Sequence, residues 1–277
     1  MAAIPDRSSV ALSVTDTSLV YQPLLPSVPD RVAVVTGTAS QVGMGKAISL
    51  TLAEEGCEIV SADMDLEGAK KTAAAIQTLG RKAIAAKVDV AKYTEVEEMV
   101  KAALKEFGKI DILVNTAGLN AGMGISFLQQ KLEIWEKDMA VNLYGTMNCA
   151  KAVLPGMVER KYGKIINFSS IVAKMGGAGS YSAAKAAVLS VTRGLATQYG
   201  ASNINVNAIA PGMVQTKFFD SAGDRVEKMF ADMAARAPLK RNQTVEDIAN
   251  AVAFLASDVS RNITGQCIQV DSGMVMQ

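Results

Sequence analysis

The sequence predicts one doubly wound α/β domain built on a seven-stranded parallel sheet. Three observations carry that expectation. From Arg31 onward, short β-branched runs alternate regularly with longer helical patterns. A glycine-rich turn joins the first run to the first helical pattern, and chemically versatile polar residues recur where the runs end. Parallel strands need crossover connections, and helical crossovers cover both faces of the sheet.

The elements follow in order. Arg31–Thr36 is a buried strand by its valines, and Gly45–Glu55 a helix closed by Gly56 at the position where a left-handed residue ends a helix. Glu58–Ala62 is the second strand; Leu66–Leu79 is a helix followed by Gly80. Lys82–Val88 is the third strand, Thr94–Phe107 a helix ending at Gly108, and Ile110–Asn115 the fourth strand. A long helical stretch covers Leu132–Glu159, then Lys164–Phe168 is the fifth strand and Ser182–Tyr199 a helix. Ile204–Ile209 is the sixth strand, helices lie near Asp224–Ala235 and Val245–Ala256, and Cys267–Val270 is the last strand.

Composition narrows the chemistry. The 277 residues suit one large domain, 49% hydrophobic content supplies a core, and a formal net charge of +1 gives no electrostatic footprint for nucleic acid or an anionic membrane. The chain has no histidine, and Cys57, Cys149 and Cys267 form no CxxC pair. Zinc sites and histidine-dependent nucleophiles are therefore not expected, and the cysteines read as reduced residues of a cytosolic protein. Residues 1–30 differ in composition and read as an N-terminal extension ahead of a 31–277 domain; Asp6, Arg7 and Asp16 break any signal-like apolar stretch.

The first strand runs into Thr36-Gly37-Thr38-Ala39-Ser40-Gln41-Val42-Gly43-Met44-Gly45. Glycines between a strand and a helix let backbone amides approach a pyrophosphate at the helix N-terminus. Asp63 ends the second strand, 18 residues beyond Gly45, where a carboxylate accepts hydrogen bonds from ribose hydroxyls and repels a 2′-phosphate. No basic residue lies in the loop before Gly45, and Met64 and Asp65 follow Asp63, which favours NAD over NADP. Asp89-Val90, Asn115-Thr116-Ala117-Gly118, Ser169–Ser170 and Pro211-Gly212 end further strands on the same sheet edge, where open α/β sheets bind ligands. Tyr181 and Lys185, four apart on one helix face, supply a phenol and an ammonium to one pocket. A nearby cation favours the phenolate, so this pair is expected to lower the tyrosine's pKa and exchange protons without histidine.

Taken together, these residues resemble the short-chain dehydrogenases/reductases of the compact, single-domain type, from roughly Asp30 to the C-terminus. The matching elements are the glycine loop, Asp63, Asp89-Val90, the tetrad at Asn115, Val141-Asn142-Leu143, Ser170, Tyr181-x-x-x-Lys185, Pro211-Gly212, and Thr264-Gly265 with Asp271-Ser272-Gly273. The resemblance implies a Rossmann fold and a catalytic set of Asn142, Ser170, Tyr181 and Lys185. Tyr181 would be the general acid/base, Lys185 would bind the nicotinamide ribose, Ser170 would hold the substrate oxygen, and Asn142 would position a water in a proton relay. It further implies that Gly37, Ser40, Gly43, Met44 and Gly45 cradle the pyrophosphate. Asp63 and Met64 would meet the adenosine ribose, with Asp89 and Val90 beside the adenine. Asn115, Ala117, Gly118, Pro211, Gly212, Val214 and Thr216 would line the remainder.

The chain departs from the family pattern in four places. The glycine loop is two residues longer than usual, Thr116 replaces an asparagine, Ser170 lies 11 positions before Tyr181 rather than 13, and Ser272 replaces a glycine. The expected reaction is reversible hydride transfer between NAD and a secondary alcohol or ketone, by a homotetramer. Met213, Phe218, Phe219, Met229, Phe230 and Met233 suit an apolar substrate pocket, or the packing of a lid helix. The competing enzyme reading is a 3-oxoacyl reductase acting on acyl-carrier-protein or CoA thioesters; against its carrier-protein version stand Asp63 and Ser202, the latter where such reductases often carry a docking arginine. A non-catalytic NAD-binding scaffold is the alternative of another class; such proteins usually lose one member of the catalytic set, and all four are present.

Overall fold

Strands β1 (Val32–Thr36), β2 (Glu58–Asp63), β3 (Ala83–Lys87), β4 (Ile112–Asn115), β5 (Gly163–Phe168), β6 (Ile204–Pro211) and β7 (Cys267–Val270) form one parallel sheet. Their order is β3-β2-β1-β4-β5-β6-β7. The chain winds outward from β1 to β3, then crosses to β4 and winds the other way. That leaves a crevice outside the carboxyl ends of β1 and β4, the switch point of a Rossmann sheet. The computed structural model describes residues 28–177, 179–216, 218–219 and 225–276.

Alternate residues of each strand serve opposite faces, so the strands read as unbroken apolar runs. Ala33, Val35, Ile112, Val114 and Ile166 face a core completed by Ile48 and Leu52 of α1 (Met44–Glu54) and Ile248 and Val252 of α9 (Val245–Ala256). Val34, Val60, Leu113, Ile165 and Val206 face a second core built with α3 (Tyr93–Phe107) and α5 (Gly145–Arg160). Each fully buried leucine or isoleucine contributes about 1.5–3 kcal/mol. A third cluster, Leu143, Ala184 and Val188, seats α7 (Ser180–Tyr199).

The remaining helices are α2 (Leu66–Thr78), α4 (Leu132–Met139), α6 (Val172–Met175) and α8 (Val226–Arg236). Several details differ from expectation. The continuous helix expected over 132–159 is α4 and α5 joined by a π-helical turn at Ala140–Tyr144; side-chain periodicity does not register one extra residue per turn. Helix α7 begins at Ser180, directly after Gly179 at φ 134°, so Tyr181 sits in its first turn. The turn α6 was not expected. Val28, on the extension side of the boundary placed at residue 30, is buried in the first core, and its amide donates to the Glu55 carbonyl (2.9 Å). Residues 1–27 of the expected extension, and Asp224, lie outside the described residues.

Candidate active site

The carboxyl ends of β4, β5 and β6 open into a cavity of about 470 Å³. Thr116 and Gly118 line it after β4, Ser169 to Val172 after β5, and Pro211 to Val214 after β6. Tyr181 and Lys185 line it from α7. Much of its remaining wall is apolar, with Met123, Ile125, Met175, Met213, Met229 and Met233 among the lining residues. An aromatic chain runs outward from the phenol. Tyr181 meets Phe218 (5.8 Å between centroids), Phe218 meets Phe219 (5.3 Å), and Phe219 meets Phe230 of α8 (5.4 Å). Phe218 and Phe219 border the cavity, whereas Phe230 packs behind them.

The two serines after β5 have separate tasks. Ser169 is buried and its hydroxyl donates to the Lys185 carbonyl (2.8 Å), which anchors α7 to the strand end. Ser170 hydrogen-bonds the Tyr181 phenol. Lys185 is buried beneath the tyrosine, with Nζ 5.7 Å from the ring centroid and donating to the Phe168 carbonyl (2.9 Å).

The electrostatics differ from the sequence expectation. Burial pushes the Tyr181 phenol up to about 12, with the Ser170 hydroxyl opposing and the Asp138 carboxylate adding to the rise. Burial also brings the Lys185 ammonium down to about 8, with Asp138 opposing. The expected lowering of the tyrosine by the lysine is not seen: burial dominates the phenol's shift. Desolvation acts on both groups, and the ammonium is engaged with a carbonyl rather than with the phenol oxygen.

Asn142 sits inside the π-helical turn and is fully buried. Its Nδ2 donates to the carbonyls of Leu119 (2.8 Å) and Asp138 (2.9 Å), and its Oδ1 accepts from the Leu119 amide (3.2 Å). Its side chain thus braces the loop after β4. Its carbonyl accepts from Thr146 Oγ1 (2.9 Å) and keeps a second lone pair. The Cβ of any residue replacing Gly118 would lie 2.9 Å from Asn142 Oδ1 and 3.3 Å from Lys185 Nζ. Gly118, Asn142 and Lys185 therefore meet at one point.

The glycine loop has the shape that a pyrophosphate requires. Gly37 has φ 74°, and a Cβ there would come within 2.9 Å of the Ala117 backbone. A Cβ on Gly45 would lie 2.2 Å from the Gly37 carbonyl oxygen, and Gly43 precedes the first turn of α1. The buried Ser40 hydroxyl has no partner, an orphan that a bound phosphate oxygen would satisfy. Asp63 stands at the mouth, accepting from the Ala39 amide (2.9 Å) and the Asp65 amide (3.0 Å). The helix cap is Asp65, which accepts from Gly68 N. The lengthened loop is anchored through Gln41. Gln41 Nε2 donates to the carbonyls of Ala39 (2.9 Å) and Gly68 (3.3 Å), and a Cβ on Gly68 would lie 2.5 Å from Ala39 Cβ.

Other expected contacts divide into two groups. Met44, Gly118, Pro211, Gly212, Val214 and Thr216 line the cavity. Met64 is exposed beside Asp63. Asn115 is buried, donating to Asn167 Oδ1 on β5 (2.9 Å), and so ties two strands together instead of lining the cavity. The Ala117 amide donates to Thr36 Oγ1 (3.1 Å). Asp89 accepts from the Ala91 amide (3.1 Å), and Val90 is buried against Gly145. Two residues at the site escaped sequence reasoning. Asp138, on α4 four residues before Asn142, lines the cavity and is fully buried, and Ser180 donates to it (2.6 Å). The readable signal was the helical spacing between Asp138 and Asn142.

Known proteins match this arrangement over most of the chain. Residues 37–275 match the family described as Enoyl-(Acyl carrier protein) reductase. The (hydroxy(phenyl)methyl)succinyl-CoA dehydrogenase subunit BbsD of Thauera aromatica is 38% identical over 248 residues, covering 89% of this chain and 97% of that protein. The 3-oxoacyl-(acyl-carrier-protein) reductase FabG of Staphylococcus epidermidis is 38% identical over 253 residues, covering 89% and 100%. A crystal structure from Sinorhizobium meliloti, described as a short-chain alcohol dehydrogenase, superposes with a TM-score of 0.83 at 34% identity, covering 90% of this chain and 98% of that one. With its sheet, its glycine loop and its tyrosine–lysine helix in that company, the chain belongs to the short-chain dehydrogenase/reductase family.

Proposed function

We propose that the protein is an NAD-dependent oxidoreductase that interconverts a ketone and a secondary alcohol, with Tyr181 as general acid/base. The observation carrying this reading is the convergence of Tyr181, Ser170 and Lys185 on the floor of an apolar cavity beside the glycine loop. Members of the family use a nicotinamide cofactor, and the loop's glycines and the orphaned Ser40 hydroxyl fit one. Gly37, Gly43, Gly45 and Ser40 would hold its pyrophosphate, and Asp63 its adenosine ribose. That carboxylate, with no basic residue in the loop before Gly45, favours NAD. When bound, the nicotinamide supplies or takes the hydride.

The chain's own residues do the rest. Ser170 orients the substrate oxygen and stabilises charge that develops on it. Tyr181 delivers its proton to that oxygen in reduction and removes one in oxidation. Such a group typically contributes a factor of about 10²–10⁴. Lys185 places a positive charge beneath the phenol, and the methionine- and phenylalanine-rich wall excludes water and accepts an apolar substituent. Initial rates with NADH and NADPH across a panel of ketones test the reading. Turnover preserved in Tyr181→Phe, or a preference for NADPH, would contradict it. A second reading, reduction of a 3-oxoacyl thioester, is favoured by the full-length match to FabG at 38% identity. Acetoacetyl thioesters added to the panel separate the two. We further propose a cytoplasmic homotetramer, which light scattering at micromolar concentration checks.

A further inference from the structure

We propose that Asp138 is a positioning residue of the proton-transfer site: its buried carboxylate ties the first turn of α7 to the loop after β4 and sets a fixed negative charge beside Tyr181 and Lys185. The inference rests on the reading of those two residues as the proton-handling pair.

The geometry is specific. Asp138 is on α4 and has no exposure of its own. Its Oδ2 accepts from Ser180 Oγ (2.6 Å), the residue preceding Tyr181, and its Oδ1 accepts from the Ala121 amide (2.8 Å) in the cavity-lining loop. Its carbonyl accepts from Asn142 Nδ2 (2.9 Å). One residue therefore joins the two walls between which the substrate oxygen must sit. No side chain at the N-terminus of α7 caps that helix, so the carboxylate on Ser180 also complements the positive end of its dipole.

The carboxylate also governs protons. It acts on both members of the pair, favouring the protonated phenol and the protonated ammonium. Lys174 of α6 and Arg193 of α7 act on Cys267, and Lys164 of β5 pairs with Asp258. Asp138 thus adds to burial in holding the proton on the Tyr181 phenol, the state needed to protonate a carbonyl oxygen.

The test separates charge from tether. Asp138→Asn keeps an acceptor for Ala121 and a partner for Ser180 while removing the charge. Ser180→Ala removes the tether and keeps the charge. Two readouts are taken: the pH profile of kcat/KM for ketone reduction, and the tyrosinate absorbance of the cofactor-free protein in an alkaline titration, with Tyr181→Phe subtracted. Asp138→Asn is expected to move the alkaline limb and the Tyr181 titration to lower pH. Ser180→Ala is expected to lose on the order of tenfold in kcat with the profile in place. An unmoved or upward-moved Tyr181 titration in Asp138→Asn overturns the electrostatic part, and an unchanged kcat in Ser180→Ala overturns the tether. If Asp138→Asn does not fold, Asp138→Glu keeps the charge and displaces the tether; wild-type kcat in that variant overturns the proposal. The titration needs no turnover, so failure of Tyr181 as the acid/base would show separately, as activity persisting in Tyr181→Phe.

Discussion

Replacing Lys185 by methionine should abolish turnover and yet make the protein more stable at neutral pH. The side chain is 4% exposed, and burial takes its ammonium from 10.5 down to about 8. That difference of about 2.5 pH units, at ~1.4 kcal/mol each, amounts to about 3 kcal/mol of opposition to folding while the lysine is charged. Methionine has a similar length and no charge to desolvate, but it forfeits the bond to the Phe168 carbonyl, worth about 1 kcal/mol. The net gain is about 2 kcal/mol, or a rise in Tm of roughly 5 °C for a chain of this size.

The sign of the pH dependence follows from a lysine whose pKa is lower folded than unfolded. Below about pH 8 the group is charged in both states and the penalty is complete. Between 8 and 10.5 only the unfolded state carries the charge, so the penalty shrinks, and above 10.5 it vanishes. Thermal melts of wild type and Lys185→Met at matched concentration, from pH 7 to 10, should show a gap that closes as pH rises. A variant less stable than wild type at pH 7, or a gap independent of pH, would show that the buried ammonium does not oppose folding.

Three further outcomes are expected. Gly45→Ala puts a Cβ 2.2 Å from the Gly37 carbonyl oxygen, so NADH binding followed by fluorescence should weaken by about 100-fold, roughly 3 kcal/mol. If Asp63 disfavours a 2′-phosphate as proposed, Asp63→Ala should lower the ratio of kcat/KM for NADH over NADPH by about tenfold or more, equivalent to ~1.4 kcal/mol. Phe218→Ala breaks the aromatic chain that starts at Tyr181; KM for bulky apolar ketones should rise while that for small ones changes little, with a difference of about 1–3 kcal/mol.

The sheet was legible because burial on both faces writes each strand as an apolar run, such as Val32 to Val35. The glycine loop was legible because glycine is the residue for which such close approaches are possible, as at Gly37 and Gly45. What stayed hidden depended on tertiary context. The π-helical turn that carries Asn142 leaves the side-chain pattern nearly helical. Asp138 reads like Glu136 and Lys137 beside it, although it alone of the three is buried. The tyrosine's titration was misread because proximity to a lysine is visible in spacing, whereas desolvation of both groups arises only when helix, sheet and lid close around them.

The anchoring of the lengthened glycine loop makes it part of a compound unit. Gln41 and Ala39 are fitted to Gly68, which lies 27 positions beyond Gln41 and leaves no room for a side chain. Loop length and the identity of residue 68 are therefore not independent variables. A chimaera that received this loop without a glycine at the matching place on α2 would misplace the loop's backbone, and with it the amides proposed to meet a pyrophosphate. Cofactor-site engineering in this chain has to move the two segments together.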